Sequence, residues 1–282
     1  MNNKKLNPTL HIILFVAMII LSFITLFPVF YTVFGSFKLT NEILTSGKLL
    51  PQSPTLANFI KAWVNINFFQ YTLNSVIVCI SAVAGTVILS SMTAFVLDRR
   101  PALKGNKFIF AMYTASIFIS LPVVTIYPIF KIMVDTGLNK SLLGLIVTSM
   151  MGGASYIFMI QSYLRGIPKE IDEAAIVDGC GFFRLYVIII MPVIKPILAT
   201  VALLHFRSTW NSYLMPSILS VGNDAIKTLT VAIVELKSSG MEATDTGLML
   251  AGSVISIVPM IVVYIFANKN MMSGLTSGAV KG

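Results

Sequence analysis

Two short stretches carry most of the residues that could do chemistry. The first is EIDEAAIVDGCGFFRLYVIIIMP, Glu170 to Pro192, which opens with four acids in nine residues: Glu170, Asp172, Glu173 and Asp178. The second is HFRSTWNSY, which places His205, Arg207, Trp210, Asn211 and Tyr213 together inside an apolar run. Ionisable groups in such a run mark a functional path by default. Neither stretch assembles a nucleophile, a base and an orienting group, so no residue is assigned a catalytic role. The chain has no G-x-x-x-x-G-K-[ST]; TGLNKS holds Lys140 and Ser141 but lacks the second glycine. It has no H-E-x-x-H, and its two histidines, His11 and His205, lie in different apolar runs. GGASY matches the nucleophile elbow only loosely. Cys79 and Cys180 fall in different settings, one in an apolar run and one in a loop, so neither a disulfide nor a metal site is expected. Cofactor-binding and metal-binding residues are therefore read as none.

The elements that must position these residues follow from composition. The chain has 282 residues, 56% hydrophobic and 11% charged, with a mean hydropathy of +0.87. Soluble domains carry about 25% charged residues. The apolar runs read as six membrane-spanning helices, near 10–34, 71–97, 108–130, 141–162, 193–218 and 247–267. Helices are the default because the runs are continuous, whereas a barrel needs short alternating strands. The first run follows Lys4 and Lys5 but is too long for a signal peptide, carries Pro28 and lacks a small-residue cleavage site, so it reads as a retained span.

The net charge of +9 invites a nucleic-acid reading, but its distribution favours topology. With a cytoplasmic N-terminus, twelve Lys and Arg fall in inner segments and seven in outer ones, with Arg207 inside a span. The inner residues crowd short loops beside the spans, as the positive-inside rule requires. Six spans then place both termini in the cytoplasm. No nucleic-acid partner is expected; membrane lipid is.

The loops carry their own signals. In the outer loop 35–70, Thr55 or Asn58 of PTLANFIKAW can cap a short surface helix through Phe59, Ile60 and Trp63. The inner DRRPALKGNK reads as an anchor against anionic headgroups. In the outer loop 219–246, Leu229, Ala232, Ile233 and Leu236 recur at helical spacing, suited to resting on the bilayer or covering an entrance. No internal repeat or separate soluble domain stands out, so residues 1–282 read as one transmembrane domain with a cytoplasmic loop at 168–192 and a cytoplasmic tail at 268–282.

The acidic stretch encodes a short helix of its own, about 168–178. Gly166 and Ile167 close the preceding turn, and Pro168 suits a first helical position. Glu170, Asp172 and Glu173 follow where carboxylates favour the helix dipole, and Gly179 can take the left-handed conformation that ends a helix. Ile171, Ala174, Ala175 and Asp178 then share a face on which alanines permit close approach. A second helix starts near Phe182, with Pro192 and Pro196 bending its course. This is either an ordinary capped surface helix or one that transmits a push into the span behind it.

The stretch resembles the EAA loop of ABC importer permeases: Glu-Ala-Ala, three residues, Gly, nine residues, Ile, one residue, Leu-Pro. Here it reads Glu173-Ala174-Ala175, Gly179, Ile189, Met191-Pro192, departing only in Met191 for Leu. PTLANFIKAW, WNSYLMP, KTLTVAI and the terminal GLTSGAVKG are similar to the smaller permease of carbohydrate importers of the maltose-transporter type. The resemblance implies an all-α polytopic protein with the type I ABC importer permease fold and a cytoplasmic coupling helix, located in the bacterial cytoplasmic membrane. It implies that Glu173, Ala174, Ala175, Asp178 and Gly179 dock on an ATPase subunit. ATP and Mg would then be bound by that partner, not by this chain. The implied partners are a second, different permease, a cytoplasmic ATPase dimer, an extracytoplasmic sugar-binding protein and the sugar itself.

Sugars bind through aromatic faces and planar hydrogen-bonding groups, so Arg207, Trp210, Asn211 and Tyr213 are expected to line the solute path; the alternative is a polar seam against the partner permease. Tyr127, Tyr156 and Gln161 are weaker candidates. Other readings remain: a permease for another solute such as a glycerophosphodiester, or a self-sufficient secondary transporter. The last calls for intramembrane carboxylates or broken-helix ion sites, and the sequence shows no clear pair.

Overall fold

The structure is a computed structural model that describes residues 8–65, 67–119, 122–151, 153–238 and 246–279. Along the chain, α1 is Pro8–Ser36, α2 Thr40–Thr45, α3 Ala57–Asn65, α4 Phe68–Arg99 and α5 Asn106–Phe118. They are followed by α6 Pro122–Asp135, α7 Leu142–Met150, α8 Ala154–Leu164 and α9 Glu170–Val177. Next come α10 Phe182–Arg184, a π-helical segment Leu185–Ile190, α11 Met191–Val193, α12 Lys195–Trp210 and α13 Leu214–Leu219. A 3₁₀ turn Asp224–Ile226, α14 Leu229–Ser238 and α15 Thr246–Ala279 complete the order, with no strand among the described residues.

Three of these helices are long and apolar enough to cross a membrane alone: α1, α4 and the Thr246–Phe266 part of α15. Three further candidates are bent pairs. α7 and α8 meet at 48°, the helix Phe182–Val193 and α12 at 79°, and α5 and α6 diverge by 120°. The sequence reading makes the α5–α6 and α7–α8 pairs one run each, at 108–130 and 141–162, and for the third expects a separate helix from Phe182, bent by Pro192 and Pro196, ahead of a span at 193–218. The 79° bend lies where Pro192 and Pro196 interrupt the backbone ladder, and the π segment precedes it, with the Met191 N–H reaching back to the Tyr186 carbonyl. The run expected at 193–218 is divided: α12 ends at Trp210, where the Asn211 N–H and side-chain Nδ2 both donate to the Arg207 carbonyl at 3.2 and 2.8 Å, and α13 follows.

The residues form two compact units. The first comprises the described parts of Met1–Phe69 and Ile233–Ile257. In it the Thr9–Tyr31 stretch of α1 is exposed on every face, as suits a helix whose solvent is lipid. The end of α1 is tied down by Asn58, whose Nδ2 donates to the Ser36 and Lys38 carbonyls at 2.9 and 2.8 Å. Thr55 takes the capping role at α3, its Oγ1 accepting from the Ala57 N–H at 3.1 Å. So the two capping candidates do different jobs. Gly247 lies against Asn58: a Cβ there would sit 2.7 Å from its Nδ2.

The second unit comprises the described parts of Gln70–Ala232 and Val258–Gly282. Its largest core joins Ala94, Phe95 and Leu97 of α4 to Ile157, Ile160 and Leu164 of α8, and to Ala175, Ile190, Ile194, Leu198 and Val201. Outside the spans, residues 225–229 are pinned to α4. Asn74 Nδ2 donates to the Ala225 and Lys227 carbonyls at 2.8 and 2.9 Å, and the Ser75 hydroxyl accepts from the Leu229 N–H at 2.9 Å.

Candidate coupling site and solute path

The short acidic helix exists as α9, Glu170–Val177, with Glu170, Asp172 and Glu173 in its first turn. It starts two residues later than expected: Pro168 lies before it, and the Lys169 carbonyl accepts from the Asp172 and Glu173 N–H groups at 2.9 and 3.1 Å. Its end is as the sequence requires. Gly179 has φ +79°, its N–H bonds the Ile176 carbonyl at 3.0 Å, and the Cys180 N–H bonds the Ala175 carbonyl at 2.9 Å. This paired closure is the Schellman motif, which demands a residue at ease in the left-handed region.

The faces of α9 differ from the sequence reading. Ala175 is buried in the core of the second unit. Its small methyl side chain lets α9 pack closely against its own chain. Asp172, one turn earlier, is buried on the same side. Ala174, Glu173, Asp178 and Gly179 are exposed, together with Ile176 and Val177, the latter 86% exposed.

Asp172 points into an ionic cluster at the end of α4. The Arg99 side chain, 5% exposed, lies with its Nε 2.7 Å from Asp172 Oδ2. Its Nη1 donates to Asp98 Oδ2 at 3.0 Å, and its Nη2 donates to the Ile167 carbonyl at 3.3 Å. The Nε contact is an ion pair out of line for a hydrogen bond, and Asp172 Oδ1 has no hydrogen-bond partner among the described residues. Arg165 approaches Asp98 Oδ1 at 3.6 Å from a largely exposed position. Burial raises the Asp172 carboxyl above the ordinary aspartate range; Arg99 opposes this, while neighbouring Asp98 adds to it. Arg100, next in sequence, stacks over the Phe182 ring at 4.6 Å, and Phe182 in turn stacks on Phe95 at 4.7 Å. Beyond the headgroup anchoring expected of DRRPALKGNK, its Asp98, Arg99 and Arg100 clasp α9 and α10. The available signal was the helical spacing that puts Asp172 and Ala175 on one face.

The four expected path residues differ in exposure. The Trp210 side chain is interior, the residue being 2% exposed, and its ring stacks on Phe206 at 5.6 Å. Thr230 Oγ1 donates to its carbonyl at 2.7 Å. Arg207 and Asn211 are exposed and Tyr213 is half-buried. At 100° per residue, His205 lies about 160° around α12 from Arg207, on its other side. That other side opens on a cavity of about 260 Å³ lined by Thr148, Ser149, Tyr156, His205, Ser208, Thr209, Ser212, Ile129, Met151, Gly153 and Met215. His205 is buried, its Nε2 3.0 Å from Thr86 Oγ1, and its ring meets Tyr156 edge-on at 5.5 Å. Of the weaker candidates, Tyr156 lines this cavity, Gln161 is buried in α8 and Tyr127 is exposed. Cys79 and Cys180 are free thiols, and Ser141 of TGLNKS caps α7 by accepting from the Leu143 N–H at 3.1 Å.

Comparison with known proteins places this architecture. Residues 104–269 match the family described as binding-protein-dependent transport system inner membrane component. The chain is 31% identical over 266 residues to the diacetylchitobiose uptake system permease protein of Streptomyces coelicolor, covering 94% of this chain and 87% of that one. It is 29% identical to the arabinooligosaccharides transport system permease protein of Halalkalibacterium halodurans, over 99% of both. A chain of a bacterial ABC transporter involved in the import of the acidic polysaccharide alginate superposes with a TM-score of 0.81, at 20% identity, over 95% of this chain and 99% of that one. The all-helical fold is thus that of an ABC importer permease, and the chain belongs to the binding-protein-dependent transport system inner membrane components, a family of bacterial multi-pass membrane permeases.

Proposed function

We propose that this chain is one of two different permease subunits of an ABC importer for a sugar or oligosaccharide, with α9 as the coupling helix. The observation that carries the reading is family membership with oligosaccharide permeases aligned over nearly the whole chain. α9 supports it: a separately capped helix with one side bound to the core and the other exposing Glu173, Ala174, Val177, Asp178 and Gly179. Apolar residues so exposed on a short surface helix suit a protein contact. Ala175 serves that contact indirectly, by seating the helix.

In this reading α1, α4, α15 and the three bent pairs make six crossings, with both termini, α9 and the end of α4 on the cytoplasmic side. The subunit is not catalytic. ATP and Mg are bound by a pair of cytoplasmic ATPase subunits, and closure of that pair pushes α9. Solute arrives on an extracytoplasmic binding protein. Arg207 on α12 and Asn211 at its end, both exposed, face the second permease in a polar seam beside the path.

The test is Glu173→Lys in the assembled importer. Reversing an exposed charge at a docking surface places like charge against a partner patch built for an acid. The protein is expected to insert and assemble while ATP hydrolysis loses its stimulation by solute-loaded binding protein. Wild-type stimulation in a fully assembled variant would remove α9 from the coupling role.

A further inference from the structure

The cavity on the other side of α12 has a chemistry of its own. Its polar lining consists of hydroxyls and one imidazole: Thr148, Ser149, Tyr156, Ser208, Ser212 and His205 are on it, and no Asp, Glu, Lys or Arg is among the described residues lining it. A hydroxyl is both donor and acceptor, so such a wall can match another hydroxyl group in either sense. It offers an anion or cation no counter-charge, and an unpaired ion in a membrane interior is strongly disfavoured. The remaining wall is apolar, from Ile129, Met151 and Met215. A pyranose ring has this amphipathic pattern, with hydroxyls around its edge and C–H groups on its faces. The volume of about 260 Å³ lies just under the ~300 Å³ lower end of drug-sized sites, enough for one ring and not for a chain. The wall is also held in place: His205 is buried, fixed by Thr86 at 3.0 Å and braced by the Tyr156 ring.

We propose that this cavity is a single-ring subsite for neutral saccharides inside this subunit, with Ser208 and Ser212 supplying hydroxyl contacts and His205 a fixed polar wall. The proposal rests on the sugar-importer reading for its role but not for its binding chemistry. It adds that the solute at this point is uncharged, unlike the acidic polysaccharide of the structurally similar transporter.

The test uses the assembled complex of both permeases and the ATPase pair. Saturation-transfer NMR with methyl α-glucoside and with glucuronate, without binding protein, reads the cavity. Uptake of maltose, cellobiose and melibiose, with binding protein present, reads the sugar assignment. The glucoside signal is expected to weaken about three- to tenfold in Ser208→Leu and in Ser212→Leu, as for loss of a hydrogen bond. It is expected to survive in Ser208→Thr, which keeps the hydroxyl, and glucuronate is expected not to compete. Unchanged glucoside signal in both leucine variants, equal loss in Ser208→Thr, or competition by glucuronate overturns the subsite. Expected NMR behaviour with no uptake of any of the three disaccharides overturns the sugar-importer role and leaves the binding site standing.

Discussion

At the residue scale, Trp210 changes meaning between sequence and structure. A tryptophan beside Arg207 and Asn211 looks like a sugar platform, but its ring is buried against Phe206. Trp210→Ala should therefore act as a packing deletion, costing about 3–5 kcal/mol where the void does not collapse. The expected result is lower yield and melting temperature of the complex, with the surviving complex close to wild type in initial uptake rate; a stable complex with selectively weakened uptake would return Trp210 to the path. Asp172 is the titrating residue to watch. Its carboxyl is raised by burial, with Arg99 opposing. A folded-state value above the unfolded one means that its contribution to stability is fully present below the ordinary aspartate value, about pH 4, and is lost as pH rises through the raised value. Asp172→Asn cannot titrate. The stability difference between wild type and this variant should shift against the wild type as pH rises from about 4 toward neutrality, in melting curves of the purified protein. A difference that grew in favour of the wild type over that range would show that the Arg99 pairing outweighs desolvation.

At the element scale, α9 is held at both ends and on one side. Gly179 ends it at φ +79°, and a Cβ added there would meet nothing within 4 Å, so the cost of substitution is conformational. Gly179→Ala should cost about 1–2 kcal/mol, while Gly179→Pro cannot adopt that φ and deletes the N–H bonded to Ile176. Arg99 links the start of α9 to the end of α4. Arg99→Ala would leave Asp98 and Asp172 without the buried cation between them, a loss of about 3–5 kcal/mol for a broken buried pair. Arg99→Lys should rescue only in part, since one ammonium cannot reproduce a fork with three partners. In assembled complexes, solute-stimulated ATP hydrolysis should fall in the order wild type, Lys, Ala, while basal hydrolysis persists. Equal stimulation in all three would make the cluster a purely local brace. The capped helix was legible because start and stop signals are local. The Arg99 clasp was not, because it joins residues about seventy positions apart and its charges look like surface charges in sequence.

At the scale of the whole molecule, the apolar surface is the dominant fact. Thr9–Tyr31 of α1 is exposed on all sides, and the outer faces of α4 and α15 are partly so. Such helices are stable only when lipid or another subunit covers them. The tail carries a prediction at this scale. The backbone of α15 runs to Ala279, and Val280 to Gly282 lie outside the described residues, as do Lys4, Lys5 and Gly152. GLTSGAVKG is small, polar and unsuited to independent folding. In the proposed assembly it reaches the ATPase pair. Deleting Gly274–Gly282 should leave insertion intact and lower the amount of ATPase that copurifies; normal copurification and uptake would make the segment dispensable.

From the sequence alone the chain reads as helical and membrane-bound, with long apolar runs separated by loops and a small acidic helix with a glycine stop between two of them. Those properties depend on hydropathy and on neighbours a few residues apart. Which side of each helix faces inward is set by the packing of the fold. It buried Ala175 while leaving Ala174 outside, turned Trp210 into the core, drew Arg99 onto Asp172, and opened the hydroxyl-lined cavity beside His205. The physical reason is that a membrane helix is apolar on nearly every face. Its periodicity therefore carries little information about orientation, which is set by packing against helices distant in the chain.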